Sequence, residues 1–560
     1  MKEVLKLKKS NCKNCYKCIR NCPVKAISFA NDQALIVYEE CIMCGKCFVV
    51  CPQNAKLIRD DLSLAKSFVE NKEEVYVSIA PSFVANYDGV TIKAIDEAVK
   101  KLGLAGAEET AHGATIVKNR YEQMVENHEK DIIITSCCHS INTLIQKYYP
   151  DLLCYLADVK SPMLAHGAKL KKEHPNCKTI FVGPCISKKA EADLYQGDID
   201  CVLTFEEFSH WLKESNITLN KESVDDIEKG KARIFPTTGG VIASMNSKPA
   251  DYTYISLDGV ENCMKALDDI RLGHIKNCFI EMSACVGRCI GGPTMDKQKR
   301  RYLIRDYLEV KNYSGENDFN VNQPNKDELQ HEMKQINTFI SEPSDDIIKH
   351  ILKDMGKTSP EDELNCGSCG YDTCREKAKA VYQGKANISM CLPFLKEKAE
   401  SFSDTIISNS PNGIIVLNEQ LEIQLINQSA CKLLNIREPK DVIGLSSVSI
   451  LDPRNYLQAM NDELSIYENR SFLAEYNKYV DETIIYNKNY HILISIMRDI
   501  TKQEIEREKK EEISRKTIEV TDKVIEKQMR VVQEIASLLG ETTAETKIAL
   551  TKLKETLKDE

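Results

Sequence analysis

No stretch of this chain is apolar for long enough to cross a bilayer, and the Lys-rich start, Met1–Lys9, is not followed by the apolar core of a signal peptide. A cytoplasmic protein without membrane contact is expected. A basic excess is also missing. With a net charge of -9 over 560 residues there is no broad basic face, which argues against nucleic acid and anionic membranes as partners. No kinase, phosphatase or DNA-binding pattern follows the last strand-like segment, so an output partner is expected to be a separate chain. What the chain has in quantity is cysteine, 23 in all. In a cytosolic setting that number speaks against a disulfide scaffold and for metal or redox chemistry.

The cysteines are grouped. The central group is spread over three stretches of one form, each placed after a short apolar or β-branched run suited to a buried parallel strand. Cys137 and Cys138 follow Ile132–Ile134. Cys185 follows Thr179–Val182, within Gly183-Pro-Cys-Ile-Ser-Lys-Lys189. Cys285 and Cys289 follow Phe279-Ile280 and run into Gly291-Gly292-Pro293, where bare backbone can approach a bulky inorganic group. A cysteine pair at i and i+4 also suits two buried small apolar residues, so the pair needs partners. Ligands of open α/β sheets gather beyond the carboxyl ends of strands, and three such ends carrying four cysteines can converge on one site.

These three stretches resemble, in order, the active-site motifs of [FeFe]-hydrogenases. The resemblance implies a domain over residues 70–345 with two α/β lobes and the cofactor in the cleft between them. It implies that Cys138, Cys185, Cys285 and Cys289 hold a [4Fe-4S] cubane, with Cys289 bridging to a two-iron unit carrying CO, cyanide and a dithiolate to complete an H-cluster. Cys137 would be the proton donor and acceptor. Lys188 would hydrogen-bond a cyanide, and Pro184 and Ser283 would line the cofactor. The chain departs from the prototypes where His139 stands for Pro, Gly183 for Met and Ser283 for Met, and where Pro293 interrupts the glycine run; the changes at 139 and 183 are expected to open space. The prototypes' pair of glutamates is also missing after Gly113-Ala114: of Lys118, Asn119, Arg120, Tyr121 and Glu122, only Glu122 is expected to pass protons, with Ser161 matching a serine on the family's route. His112, His139 and His166 are either relays or hydrogen-bonded structural histidines.

Residues 1–60 carry the two-cluster ferredoxin spacing twice. One [4Fe-4S] cluster is expected on Cys12, Cys15, Cys18 and Cys51, the second on Cys41, Cys44, Cys47 and Cys22. Residues 346–397 resemble a four-cysteine [4Fe-4S] module through Cys366, Cys369, Cys374 and Cys391; zinc on the same thiolates is the alternative. Cys154, Cys177, Cys201, Cys263, Cys278 and Cys431 are expected to be buried structural residues. Residues 401–500 resemble a PAS domain on Gly413–Val416, Ile426-Asn427 and Asp499–Thr501, with His491 a strand residue rather than a haem ligand. In residues 501–560, Ile518, Ile525, Val532 and Leu539 repeat every seven positions and predict a coiled-coil helix, weakened at Gly540, Thr542, Thr543 and Thr546, that can pair in a homodimer.

The expected fold is therefore multidomain, α/β and α+β. A ferredoxin-like domain, a two-lobed α/β hydrogenase-type domain, a small Fe-S module, a PAS domain and a long C-terminal helix follow one another. The expected function is that of a sensory-type [FeFe]-hydrogenase acting slowly on H2 and protons. Its partner would be a soluble electron carrier such as ferredoxin, or a kinase or phosphatase reached through the PAS-helix tail. The alternatives are a ferredoxin-linked enzyme of hydrogen metabolism, and a noncatalytic relay lacking the two-iron unit.

Overall fold

The computed structural model describes residues 3–8, 11–30, 33–220, 230–295, 303–338, 341–461 and 466–556. They form two compact units, Met1–Leu395 and Lys396–Glu560.

In the first unit, the N-terminal cysteine region is built on two antiparallel ribbons. Strand β1 (Leu5–Leu7) is paired with β4 (Lys56–Ile58), and β2 (Ile27–Ala30) with β3 (Gln33–Ile36). Seven strands follow: β5 (Val75–Ile79), β6 (Gly106–Glu109), β7 (Ile132–Ile134), β8 (Lys178–Gly183), β9 (Cys201–Thr204), β10 (Thr253–Asp258) and β11 (Cys278–Ser283). They make two parallel sheets, ordered β6-β5-β8-β9 and β10-β11-β7. Helices cover both faces of each, which is why β7 and β11 are buried at every position. Val77, Ile79, Val182 and Leu203 pack with Phe208 in one lobe. In the other, Ile133 and Phe279 face Val117 while Ile134 and Ile280 face Leu144.

Local rules set the helix starts. Thr91 caps Ile92–Lys101, and Ser161 caps Pro162–Glu173 with Pro162 in the first turn, where its missing N–H costs nothing. Ala232–Phe235 has the apolar residues of a short strand but contains a 3-10 helix, Lys231–Ile234, with Arg233 turned inward. Conversely, β6 has the sequence Gly-Ala-Glu-Glu, too polar to read as a strand, and exists because it pairs with β5.

Arg233 and Glu109 tie β6 to this helix. Both are buried; Arg233 Nη2 donates to Glu109 Oε1 at 2.6 Å and Nε to both carboxylate oxygens at 3.1 and 3.0 Å. Tyr313 completes the group: its hydroxyl donates to Glu109 at 3.2 Å, its carbonyl accepts from Arg233 at 3.2 Å, and its ring lies 4.0 Å beneath the guanidinium.

The second unit contains a five-stranded antiparallel sheet of β12 (Gly413–Asn418), β13 (Ile423–Ile426), β14 (Ile466–Leu473), β15 (Lys478–Asn487) and β16 (Ile492–Asp499), ordered β13-β12-β16-β15-β14. Alternation puts Ile415, Leu417, Ile484, Leu493 and Met497 into one core. His491 is exposed in the turn before β16, in left-handed backbone, with Nδ1 2.9 Å from Glu419; it is neither a strand residue nor placed to bind haem. Helix Thr501–Thr556 runs straight through Gly540, and Thr542 satisfies its hydroxyl by donating to the Leu538 carbonyl at 2.9 Å. Ile518, Ile525, Val532 and Leu539 are all exposed along it.

Candidate metal centre

Cys138 follows β7, Cys185 follows β8, and Cys285 follows β11, with Cys289 in the turn Arg288–Gly291. Because β7 and β11 belong to one sheet and β8 to the other, the loops meet where the lobes face each other. The thiols report that meeting. Burial, and then the charges of Cys185, Cys138 and Cys289, push Cys285 far above the ordinary cysteine value. Cys289 is pushed up to about 12 by burial and by Cys185 and Cys138, against the opposing charge of Arg288. Burial raises Cys185 as well, and thiols gathered in this way ionise together only with cationic compensation, which a metal would supply. Although burial dominates its thiol, Cys289 is exposed by surface area, so it faces a hollow enclosed by protein.

The glycines after Cys289 let the chain close tightly on itself and on the Cys185 loop: a Cβ on Gly291 would lie 1.9 Å from the Val286 carbonyl oxygen, and one on Gly292 would lie 2.8 Å from the Pro184 Cβ and carbonyl oxygen.

Cys137 is buried beside this set, and its sulfur lies 3.3 Å from the Tyr121 hydroxyl, which is also 3.0 Å from Ser136 Oγ and accepts from the Ser136 N–H at 2.9 Å. Burial raises the Cys137 thiol; Arg288, Tyr121 and Lys188 oppose it. Lys188 Nζ donates to the Cys137 carbonyl at 3.2 Å and pairs with Glu191. Burial works against its ammonium charge, but Glu191, Cys185 and Cys138 outweigh burial and hold Lys188 above the usual lysine value. Ser283 Oγ donates to the Cys285 carbonyl at 3.4 Å, and the Pro184 carbonyl accepts from Thr294 N–H at 3.1 Å.

The N-terminal thiols sort into two hollows, Cys12, Cys15, Cys18 and Cys51 around one, Cys22, Cys41, Cys44 and Cys47 around the other. Burial pushes Cys41, Cys44 and Cys47 up to about 12, with Cys22 adding to each. Cys366, Cys369, Cys374 and Cys391 line a third hollow together with Lys377, a buried lysine whose Nζ donates to the Asn387 carbonyl at 2.6 Å. A buried ammonium beside four thiols suits an anionic cluster.

Residues 73–293 match the family described as iron only hydrogenase large subunit, C-terminal domain. The chain carries a hydrogenase-type domain. It is joined to a 4Fe-4S dicluster domain matched over residues 5–52, an Fe-S cluster family matched over 362–393 and a PAS fold matched over 401–468. Iron hydrogenase 1 of Clostridium pasteurianum is 28% identical over 285 residues, 40% of this chain and 50% of that one. A cytosolic Fe-S cluster assembly factor, NAR1 of Kluyveromyces lactis, is 24% identical over 205 residues, 33% of this chain and 43% of that one. This chain thus spans half or less of the length of either relative. A solved [FeFe]-hydrogenase from Chlamydomonas reinhardtii aligns with a TM-score of 0.37 at 18% identity, covering 49% of this chain and 91% of that one.

Within the hydrogenase-type domain several expectations change. Gly183 does not open space: a Cβ there would come 2.7 Å from the Phe181 ring, so that ring fills the volume a Met side chain would take. His139 fills its place too, buried with its ring edge-on to Tyr195. Glu122 is not shown against Cys137; it lies 3.3 Å from Lys118 and accepts from the Ser247 N–H at 3.2 Å. Tyr121, one residue earlier, makes the contact. Ser161 caps its helix and bonds Glu191, the carboxylate partner of Lys188. Burial pushes His112 and His139 down to about 4 and lowers His166, so all three are neutral at pH 7. His166 is held by Ser78 at 2.7 Å and Glu108 at 3.3 Å, as a structural histidine would be.

Sequence reading also passed over Ser82 and Arg288. Ser82 follows β5, and its fully buried hydroxyl has no hydrogen-bond partner among the described residues. Arg288 is buried, pairs with Glu281 and lies 5.7 Å from the Phe235 ring centroid. The signal for Arg288 was present in its place directly before Cys289; nothing local marks Ser82.

Proposed function

We propose that this chain is a sensory-type [FeFe]-hydrogenase. It interconverts H2 with protons and electrons slowly, and passes the outcome through its PAS domain and C-terminal helix to a separate signalling protein. The observation that carries this reading is the pairing of a four-thiol crevice with Cys137 and Lys188 at its wall. Cys138, Cys185, Cys285 and Cys289 would hold the H-cluster cubane, Cys289 facing the hollow where the two-iron unit belongs. That unit supplies the site at which H2 is split or formed. Around it, Lys188, Ser283 and the Pro184 backbone line the pocket, and Lys188 supplies a cation for anionic cyanide. Cys137 holds and moves the proton at Sγ, with Tyr121 orienting the thiol.

Three further [4Fe-4S] clusters, two in the dicluster domain and one on Cys366, Cys369, Cys374 and Cys391, carry electrons toward a soluble carrier or the signalling side. No helix among the described residues is long and apolar enough to cross a membrane, in keeping with a cytoplasmic role. The exposed heptad of the last helix supports pairing with a second copy.

The similarity to a cluster assembly factor favours one other reading, a noncatalytic relay. Hydrogen uptake with an artificial electron acceptor separates the readings. Slow but measurable turnover by matured protein is expected. A rate in the range of bulk enzymes, about 10³ s⁻¹ at the upper end of ordinary catalysis, would instead favour ferredoxin-linked hydrogen metabolism. Complete absence of uptake in fully loaded protein would favour the relay.

A further inference from the structure

The four-cysteine module is fixed to one particular face of the dicluster domain. Gly370, between Cys369 and Cys374, stands in left-handed backbone at φ 96°, and a Cβ on it would lie 2.9 Å from Ile19 Cγ2 and 3.1 Å from the Arg20 nitrogen. Arg20 donates to the carbonyls of Gly367 at 3.3 Å and Ser368 at 3.1 Å, so the loop holding Cys366 and Cys369 is gripped by the helix Lys17–Arg20, which carries Cys18. Lys25 donates to the Gly370 carbonyl at 3.1 Å. The Phe29 N–H donates to the Lys385 carbonyl at 2.7 Å, and Lys385 pairs with Glu40.

Tyr371 joins the two cysteine groups. It is buried, its hydroxyl has no hydrogen-bond partner among the described residues, it lines the hollow of Cys366, Cys369, Cys374 and Cys391, and it belongs to one apolar core with Ile19, Met43 and Cys47, on which Cys22, Cys41 and Cys369 also pack.

Cys22 belongs with Cys41, Cys44 and Cys47, and the opposite side of that group meets the hydrogenase-type crevice. A Cβ on Gly45 would lie 2.8 Å from Pro293 and 2.9 Å from Ile186, and Cys44 packs on the same apolar core as Cys138 and Ala284. The Cys12, Cys15, Cys18 and Cys51 group reaches the apolar core of Tyr371 through Cys12 and Cys18 and has Cys15 exposed.

We infer that the cluster on Cys22, Cys41, Cys44 and Cys47 is a junction, from which electrons reach the module's cluster directly across Tyr371 without passing through the cluster on Cys12, Cys15, Cys18 and Cys51. The inference rests on the hydrogenase reading for its source of electrons. Each H2 oxidised yields two protons and two electrons. One electron takes the module's cubane from [4Fe-4S]2+ to [4Fe-4S]+, a second takes another cubane through the same change, and the protons leave by way of Cys137. The first cluster then serves the external carrier. The module serves signalling, since its last ligand, Cys391, directly precedes helix Leu392–Asn409, the segment that leads in sequence to the PAS fold, and its carbonyl accepts the Leu395 N–H at 2.9 Å.

Electron paramagnetic resonance of the full chain tests this, with two variants. Cys366→Ser combined with Cys374→Ser removes the module's cluster; Gly370→Val keeps every ligand but forces a branched side chain against Ile19 and Arg20. In dithionite-reduced native protein the second ferredoxin-type cluster should show spin coupling to the module's cluster, and both variants should lose that component. Under H2 the module's cluster should become reduced in native protein and stay oxidised in Gly370→Val while the dicluster domain is reduced. An identical coupling pattern with and without the module's cluster would overturn the inference, as would H2 reduction of the module unaffected by Gly370→Val. If H2 reduces no cluster, the hydrogenase reading fails, and the dithionite comparison still decides the wiring.

Discussion

Replacing Cys137 by Ser should lower hydrogen conversion by roughly 10²- to 10⁴-fold, the usual loss when a positioned proton-transfer group is removed. Iron and sulfide content should stay unchanged, because the thiol stands beside the proposed cubane ligands and is not one of them. The argument rests on the surroundings of Sγ. It is buried, so no bulk water replaces it, and its hydrogen-bonding side-chain neighbour is the Tyr121 hydroxyl at 3.3 Å. A serine hydroxyl in that place is a much weaker acid than a thiol and cannot exchange its proton near neutral pH. Hydrogen uptake, compared with iron analysis of the same anaerobic preparation, checks both halves. Turnover equal to the native protein's would remove Cys137 from the mechanism.

The largest expected effect on stability is at Arg233. Arg233→Met leaves Glu109 buried with its charge uncompensated, and breaking a buried pair in this way costs about 3–5 kcal/mol. Tyr313 loses its guanidinium neighbour as well. Thermal unfolding of the anaerobic protein should therefore begin several degrees lower, with earlier loss of cluster absorbance from the hydrogenase-type domain. Adding Glu109→Leu to Arg233→Met should recover much of the loss, because apolar replacement of both partners removes the buried charge altogether. Unfolding within a degree of the native protein in the single variant would show that the pair contributes little.

The parts of the fold that could be read from the sequence were those written in local, repeated patterns. The β-branched run of Ile132–Ile134 and the run before Cys185 mark buried parallel strands by themselves, and doubled cysteine spacing marks the dicluster domain. Strand β6 and the turn at Arg233 could not be read in this way, because each depends on a partner away in sequence, β6 on its pairing with β5 and the turn on the Arg233–Glu109 pair. The pocket behaves similarly. Gly183 reads as missing volume until the Phe181 ring is seen filling it, two residues earlier on the same strand. The cysteine partner was sought at a glutamate by analogy, while the side chain that reaches Cys137 is the neighbouring tyrosine, whose role depends on which face of helix Ala111–Glu126 is turned to the site. The docking of the module on helix Lys17–Arg20 has no local signal: Gly370 looks like an ordinary turn glycine, and only the close approach of Ile19 gives it a reason.

An infrared spectrum of anaerobically matured protein in the CO and cyanide stretching region, recorded under argon and then under hydrogen, tests the hydrogenase reading most directly. The account predicts sharp bands that shift when hydrogen is admitted, reporting a two-iron unit in the hollow beside Cys289 that responds to the gas. Matured protein with intact cubanes and no such bands would contradict it, and would leave the chain as a cluster relay joined to a PAS fold.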